Sequence, residues 1–189
     1  MRDDTETPRR GLRRLPGDPP RREILARMVR VNQAGEYAAM RIHQGQLAVL
    51  GSRSGGAVLK EMTSRGEEHL RTFDRIMVER RVRPTLLQPL WHVLGFALGA
   101  GTAFLGEKAA MACTVALGEV IEEQLAGQVE ALGADEPALR ETIERHREDE
   151  NGLRDIGLAN GATQHPAYPI LSAAIRTGSR MAAWLSTRL

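Results

Sequence analysis

Apolar residues recur three and four positions apart along most of the chain after Arg22, and no stretch shows the alternation of a strand. This spacing predicts helices at about 22–51, 57–81, 108–132 and 136–158, with a last helix near 167–187. Segments containing glycine or proline separate these helices at 51–56, 132–137 and 160–166. The sequence therefore predicts an all-α fold, in which a four-helix bundle carries an extra C-terminal helix.

Between the second and third bundle helices, residues 84–106 carry no formally charged side chain. Length alone would admit a transmembrane helix. Two prolines (84 and 89) and four glycines (95, 99, 101 and 106) favour a bent hydrophobic hairpin instead, because both residue types interrupt a straight span. Three arrangements stay open for this segment: insertion into one leaflet at a membrane surface, a buried crossover packed on the bundle, or a true span.

Each of the four bundle helices carries at least one carboxylate or imidazole on an otherwise apolar line of side chains, since residues three and four apart share a face. These residues are Glu36 on the first helix, His69 on the second, Glu122 on the third, and His146 and Glu150 on the fourth. A lone buried group of this kind is costly unless it is paired, neutralised or bound to a metal. Carboxylates and Glu-x-x-His pairs inside four helices are typical of di-iron proteins. Separate hydrogen-bonded core residues are the alternative.

Three stretches resemble the demethoxyubiquinone hydroxylases, which are ferritin-like di-iron monooxygenases of ubiquinone biosynthesis. They are residues 31–50 (VNQAGEYAAMRIHQGQLAVL), 82–117 and 154–189. The resemblance implies a ferritin-like bundle with its hydrophobic hairpin and last helix at a membrane surface. It implies insertion of one oxygen atom from O2 into the ring of an isoprenoid-tailed membrane quinone, using iron, with NADH as the ultimate electron source. The implied protein partners are other ubiquinone-synthesis proteins and, in a homo-oligomer, a second copy of the chain.

The resemblance also implies six metal ligands, and half of these positions have lost their donor. The retained ligands are Glu36, His69 and Glu150. Two glutamate positions and one histidine position hold Gly66, Gly118 and Leu153. Gln33 also stands where the family usually has histidine. Two irons carry charge that bridging carboxylates must offset, and glycine supplies none.

Two neighbouring residues are candidate substitutes for the lost ligands. Glu122 lies one turn after Gly118, and His146 lies one turn before Glu150, on the same helix lines. Together with His69, Glu150 and Glu36, they would form a shifted cluster able to hold one metal ion. The alternative is a metal-free core in which the glutamates and histidines pair with one another.

Composition narrows the remaining possibilities. The single cysteine, Cys113, excludes an internal disulfide and favours a reducing compartment. Residues 1–21 are rich in arginine and proline, which predicts a disordered arm before a helical domain at 22–189. The arm lacks the apolar run of a secretory signal, so we expect a peripheral protein on the cytoplasmic face of a membrane. Nucleic-acid binding by the arm is the weakest hypothesis, because the chain is only 4% aromatic and has no recognisable reading motif.

Two functions therefore stay open at the level of sequence. One is a quinone-ring monooxygenase of ubiquinone biosynthesis with a rebuilt iron site. The other is a metal-deficient, non-catalytic relative that binds a quinone or lipid, or regulates the pathway. The first requires bound metal and the second does not.

Overall fold

The computed structural model describes residues 17, 19–53, 55–166 and 168–188, and their regular structure is helical throughout. The six α-helices are α1 (Arg21–Leu50), α2 (Gly56–Arg80), α3 (Gln88–Phe104), α4 (Glu107–Leu132), α5 (Pro137–Ala159) and α6 (Tyr168–Ser186). A short 3-10 turn, Ala162–Gln164, precedes α6. The all-α prediction is confirmed, and each predicted helix end lies within one residue of the observed one. Residues 1–16 and 18 of the predicted arm lie outside the described residues.

Helices α1, α2, α4 and α5 form the bundle, in which α1 packs along α2 and α4 packs along α5. Buried apolar residues fill its interior in two clusters. One contains Val29, Leu125, Leu132 and Ile143, and the other contains Leu50, Leu59, Met62 and Met111. The polar residues Glu36, His69 and Glu150 stand near the middle of their helices. The bundle therefore surrounds a polar centre with apolar packing.

Residues 84–106 contain a single helix, α3, and the predicted bend of a hairpin is wrong. Pro89 lies in the first turn of α3, where its missing N–H breaks no helical hydrogen bond. Gly99 does not bend the helix. It lies against α1, where a Cβ would collide with the carbonyl oxygen of Ile42. Gly45 on α1 likewise faces the backbone of α3. These two glycines let α1 and α3 approach closely.

Helix α6 packs on α4, and arginines on α6 pair with glutamates on α4. The end of α6 also meets α3, where Trp91 Nε1 donates a hydrogen bond to Ser186 Oγ at 3.3 Å. The outer side of α3 presents four exposed apolar residues, Leu90, Val93, Leu94 and Leu98, which we call the apolar face. Among the described residues, no helix combines the length and apolarity needed to cross a membrane.

Candidate metal centre

Glu36, His69 and Glu150 converge at the centre of the bundle from α1, α2 and α5, and all three are buried. Nδ1 of His69 lies 3.5 Å from Glu36 Oε2 and 3.5 Å from Glu150 Oε1. One donor atom from each residue lies within 4.8 Å of the other two. A single ion can contact all three atoms, because metal bonds to nitrogen and oxygen are about 2.0–2.2 Å long. The structure thus brings together the three residues predicted as retained ligands.

Asp149 sets the orientation of the His69 ring. Nε2 of His69 and Asp149 Oδ2 are 3.2 Å apart, and because a carboxylate can only accept, Nε2 is the donor. Nδ1 therefore faces the two glutamates. Metal-binding histidines are commonly held in this way by a carboxylate on their outer nitrogen. Sequence reasoning missed Asp149, because it lies off the apolar line of α5 and its partner is on another helix.

The protonation of His69 reflects its position between two carboxylates. Burial by itself lowers the pKa of His69, but its contacts with Glu150 and Glu36 outweigh burial and raise the pKa to about 10. Burial raises the pKa of Glu150, and the charge of Glu36 raises it further while His69 opposes the shift. Without a metal, the imidazolium is therefore the cation between these carboxylates.

Two buried atoms of this cluster have no hydrogen-bond partner: Glu36 Oε2 and His69 Nδ1. They are 3.5 Å apart, which is too long for a good hydrogen bond. An unsatisfied buried donor or acceptor usually has a cost of about 1–3 kcal/mol. Two such atoms directed at one point are better suited to a shared metal ion than to each other.

The three family ligand positions that lack a metal-binding side chain, Gly66, Gly118 and Leu153, have open space or apolar surroundings. A Cβ on Gly66 would come no closer than 3.8 Å to its neighbours, which include His43 Nδ1. A Cβ on Gly118 would lie 3.4 Å from Glu150 Oε2. Leu153 is buried in the second apolar cluster. Among the described residues, Glu36, His69 and Glu150 are the one group of three or more His, Cys, Asp or Glu side chains arranged to share a metal ion.

The structure places the two candidate substitutes outside this group. Glu122 accepts hydrogen bonds from Arg147 at 2.6 and 3.2 Å, and this ion pair holds it away from the cluster. The His146 ring packs against the His69 ring with centroids 4.4 Å apart. Its Nδ1 lies 3.0 Å from the Thr142 carbonyl oxygen, and its Nε2 is buried without a partner. His146 therefore borders the cluster, while Glu122 is paired elsewhere.

Another imidazole, which the sequence did not single out, lies beside Gly66. His43 on α1 is buried, and neither of its ring nitrogens has a hydrogen-bond partner. Burial lowers the pKa of His43 to about 4, and the charge of His69 contributes to the shift. The ring is consequently neutral near pH 7. Its sequence signal was its position two turns after Glu36 on the same helix line.

An apolar slot between α1, α3, α4 and α6 reaches Glu36. Trp91, Leu117 and Ile121 contribute to its walls, and α6 contributes the small residues Ser179, Ala182, Ala183 and Ser186. The cavity volume is about 70 Å³. Common ligand pockets have volumes of ~300–1,000 Å³. The slot must therefore widen before a ring-sized ligand can enter.

Comparison with known proteins identifies the family. The family model described as ubiquinone biosynthesis protein COQ7 matches residues 23–186. The chain belongs to the COQ7 family. It is 56% identical over 177 residues to the 3-demethoxyubiquinol 3-hydroxylase of Rhodospirillum rubrum, covering 93% of this chain and 84% of that protein. It is 47% identical over 172 residues to the human NADPH-dependent 3-demethoxyubiquinone 3-hydroxylase, mitochondrial, with 89% and 79% covered.

A more distant COQ7 relative extends the comparison. The 5-demethoxyubiquinone hydroxylase, mitochondrial, of Saccharomyces cerevisiae is 36% identical over 183 residues, covering 88% of this chain and 78% of that protein. The resemblance found in the sequence is therefore confirmed. The di-iron centre that it implied does not fit the residues that the structure describes, because the one imidazole and two carboxylates brought together there are too few donors for two irons.

Proposed function

We propose that this chain takes part in ubiquinone biosynthesis by hydroxylating the ring of a demethoxyubiquinol when its metal site is loaded with iron. The observation that carries the proposal is the buried cluster of Glu36, His69 and Glu150 next to the apolar slot. Its relatives are named as hydroxylases of this class of ring. A metal ion bound to the cluster would supply activation of O2.

The overall reaction defines what the protein must accommodate. A ring C–H bond becomes C–OH with one atom of O2, and the other atom becomes water with two electrons and two protons. We propose NADH as the ultimate electron source, and the name of the human relative specifies NADPH for that protein. The chain must therefore hold the ring near the cluster while it limits access of bulk water.

Glu36 connects the slot to the metal-binding cluster. Glu36 contributes to the slot lining, and its carboxylate belongs to the cluster. A quinol ring seated in a widened slot would place a hydroxyl group within reach of this part of α1. The apolar walls at Leu117 and Ile121 would exclude water from the ring. We therefore propose that Glu36 lies where the bound quinol ring adjoins the metal-binding cluster.

The apolar face of α3 supports delivery of the substrate from a membrane. Val93 is 62% exposed and Leu94 49% exposed on this face, whereas Trp91 on the same helix lines the slot. An isoprenoid-tailed quinol dissolved in lipid would then have a short route into the protein. We propose that the apolar face lies on a membrane surface, with the protein attached peripherally on the cytoplasmic side.

Sedimentation with liposomes of mixed neutral and anionic phospholipids tests this attachment. Val93→Glu should reduce the bound fraction severalfold, because it places a carboxylate in the apolar face. Val78→Glu is the matched control, since Val78 is 79% exposed on α2 and does not belong to that face. Equal binding by both variants would contradict attachment through α3.

Turnover tests the hydroxylase proposal itself. Iron-loaded protein should convert demethoxyubiquinol in liposomes to a hydroxylated product that carries an oxygen atom from isotopically labelled O2. Glu150→Ala should abolish turnover, and Glu148→Ala, an exposed neighbour on α5, should leave it unchanged. Unchanged turnover in Glu150→Ala would contradict the role of the cluster. Quinol binding by loaded protein without any product would contradict the proposed activity.

A further inference from the structure

We propose that this chain holds one divalent metal ion rather than two, bound by His69 Nδ1 and by one carboxylate oxygen each from Glu36 and Glu150. The inference rests on the proposed function for the choice of iron. The number of ions rests on charge and geometry alone, so it can be tested without turnover.

Charge balance is the first argument for a single ion. The two buried carboxylates, Glu36 and Glu150, offset one divalent ion once His69 is neutral. A second divalent ion would leave two uncompensated positive charges in the middle of the bundle, which is strongly unfavourable in a buried site. The next carboxylate, Asp149, is engaged with the outer nitrogen of His69 and its side chain is 45% exposed. It does not face the cluster centre.

The side chains around Gly118 and Gly66, where a second ion would bind, also favour a single ion. Towards Gly118, the described atom nearest to the Cβ position is Glu150 Oε2 at 3.4 Å, which belongs to a ligand of the first ion. Arg154 lies on the same side, with its Cβ 4.0 Å from that position, and its Nη2 pairs with Asp155 Oδ1 at 3.4 Å. Towards Gly66, the nearest side-chain donor is Nδ1 of His43, 3.8 Å from the Cβ position. Within the described part of the chain, no second group of three or more His, Cys, Asp or Glu side chains is arranged to hold another ion.

The donor set also indicates which ions suit the site. One imidazole and two carboxylates form a mixed nitrogen and oxygen set with room for further ligands. A three-residue set of this kind, usually with two histidines and one carboxylate, is typical of mononuclear non-haem Fe(II) sites. Fe(II) and its spectroscopic substitute Mn(II) are therefore the ions expected to bind.

Anaerobic titration of the metal-free full chain with Fe(II) or Mn(II) tests the stoichiometry. We expect one ion per chain by elemental analysis and, with Mn(II), the hyperfine sextet of an isolated ion in electron paramagnetic resonance. A spin-coupled signal with close to two ions per chain would overturn the inference, and so would the absence of specific binding. Glu150→Gln should weaken Mn(II) binding at least ~10-fold, and Glu148→Gln should not.

Restoring the missing carboxylates tests whether their loss is what restricts the chain to one metal ion. Gly66→Glu combined with Gly118→Glu should raise the stoichiometry from one ion towards two, because both positions have space for a Cβ. Gly127→Glu combined with Gly152→Glu is the control, since these glycines also have open space but lie away from the cluster. A folded restored variant that still binds one ion would contradict the charge argument.

The two proposals can fail separately. One bound ion without quinol turnover would overturn the proposed function and leave the stoichiometry intact. Two bound ions with turnover would overturn the stoichiometry and leave the proposed function intact.

Discussion

His69 donates a hydrogen bond through Nε2 to Asp149 on α5, with 3.2 Å between the two atoms, and this contact turns its Nδ1 towards Glu36 and Glu150. A neighbour of Glu150 in the sequence thus positions a ligand on another helix. The arrangement predicts that Asp149 acts on the metal through His69.

Removing Asp149 should therefore weaken metal binding without removing a ligand. Asp149→Ala should lower Mn(II) affinity about 10- to 100-fold, because the imidazole loses its orientation and some basicity. Asp149→Asn should have a smaller effect, since an amide oxygen can still accept from Nε2. Calorimetric titration of both variants checks this ranking, and Asp155→Asn, on an exposed part of α5, is the control. Wild-type affinity in Asp149→Ala would contradict a positioning role.

His43 should make the metal-free protein sensitive to acid. Its pKa is about 4 in the folded chain and about 6.5 when unfolded, so the unfolded state binds more protons between these values. Stability should then be greatest above pH 6.5 and fall as pH decreases towards 4, by about 3 kcal/mol from this residue. Urea unfolding at several pH values checks the effect, and His43→Leu should reduce the slope. An identical slope in the variant would rule out His43 as the cause.

Close packing of α1 and α3 predicts opposite effects for two neighbouring glycines. Gly99→Ala should destabilise the protein by about 1–3 kcal/mol, because its Cβ would collide with the α1 backbone at Ile42. Gly101→Ala should be neutral or stabilising by up to about 1 kcal/mol, since it meets open space within the same helix. Thermal unfolding of both variants measures the difference. Equal melting temperatures would show that the two helices are not in such close contact.

The slot predicts a kinetic effect at α6. Ala182→Leu should raise KM for the quinol severalfold at unchanged metal content, because a larger side chain narrows the slot next to Glu36. Ala174→Leu, on an exposed side of the same helix, serves as the matched control. If KM stays unchanged in Ala182→Leu while the control also behaves as wild type, the quinol enters by another route.

Helix positions could be predicted closely from the sequence because their signals are local. The apolar periodicity of a helix, and the glycine or proline that ends it, lie within or next to that helix in the sequence. For example, residues 132–137 define both the end of α4 and the start of α5. The bend expected at 84–106 was wrong because a glycine pattern is ambiguous. Gly99 could allow either a bend or a close helix contact, and only its neighbour Ile42 on α1 distinguishes them.

The candidate site could be predicted only in part. Glu36, His69 and Glu150 stand on apolar helix lines, so their convergence follows from the bundle. Glu122 stands on such a line too, but its pairing with Arg147 depends on how α4 faces α5. Contacts between helices decide these cases, and one sequence does not encode them in any local pattern.

Iron content per chain tests the central claim most directly, measured on untagged protein purified under anaerobic conditions from iron-replete cells. Elemental analysis should give close to one iron per chain, and Glu150→Gln purified in parallel should give much less. Close to two irons per chain would contradict the single-ion site. No iron in well-folded protein that also fails to bind added Fe(II) would contradict the metal centre altogether.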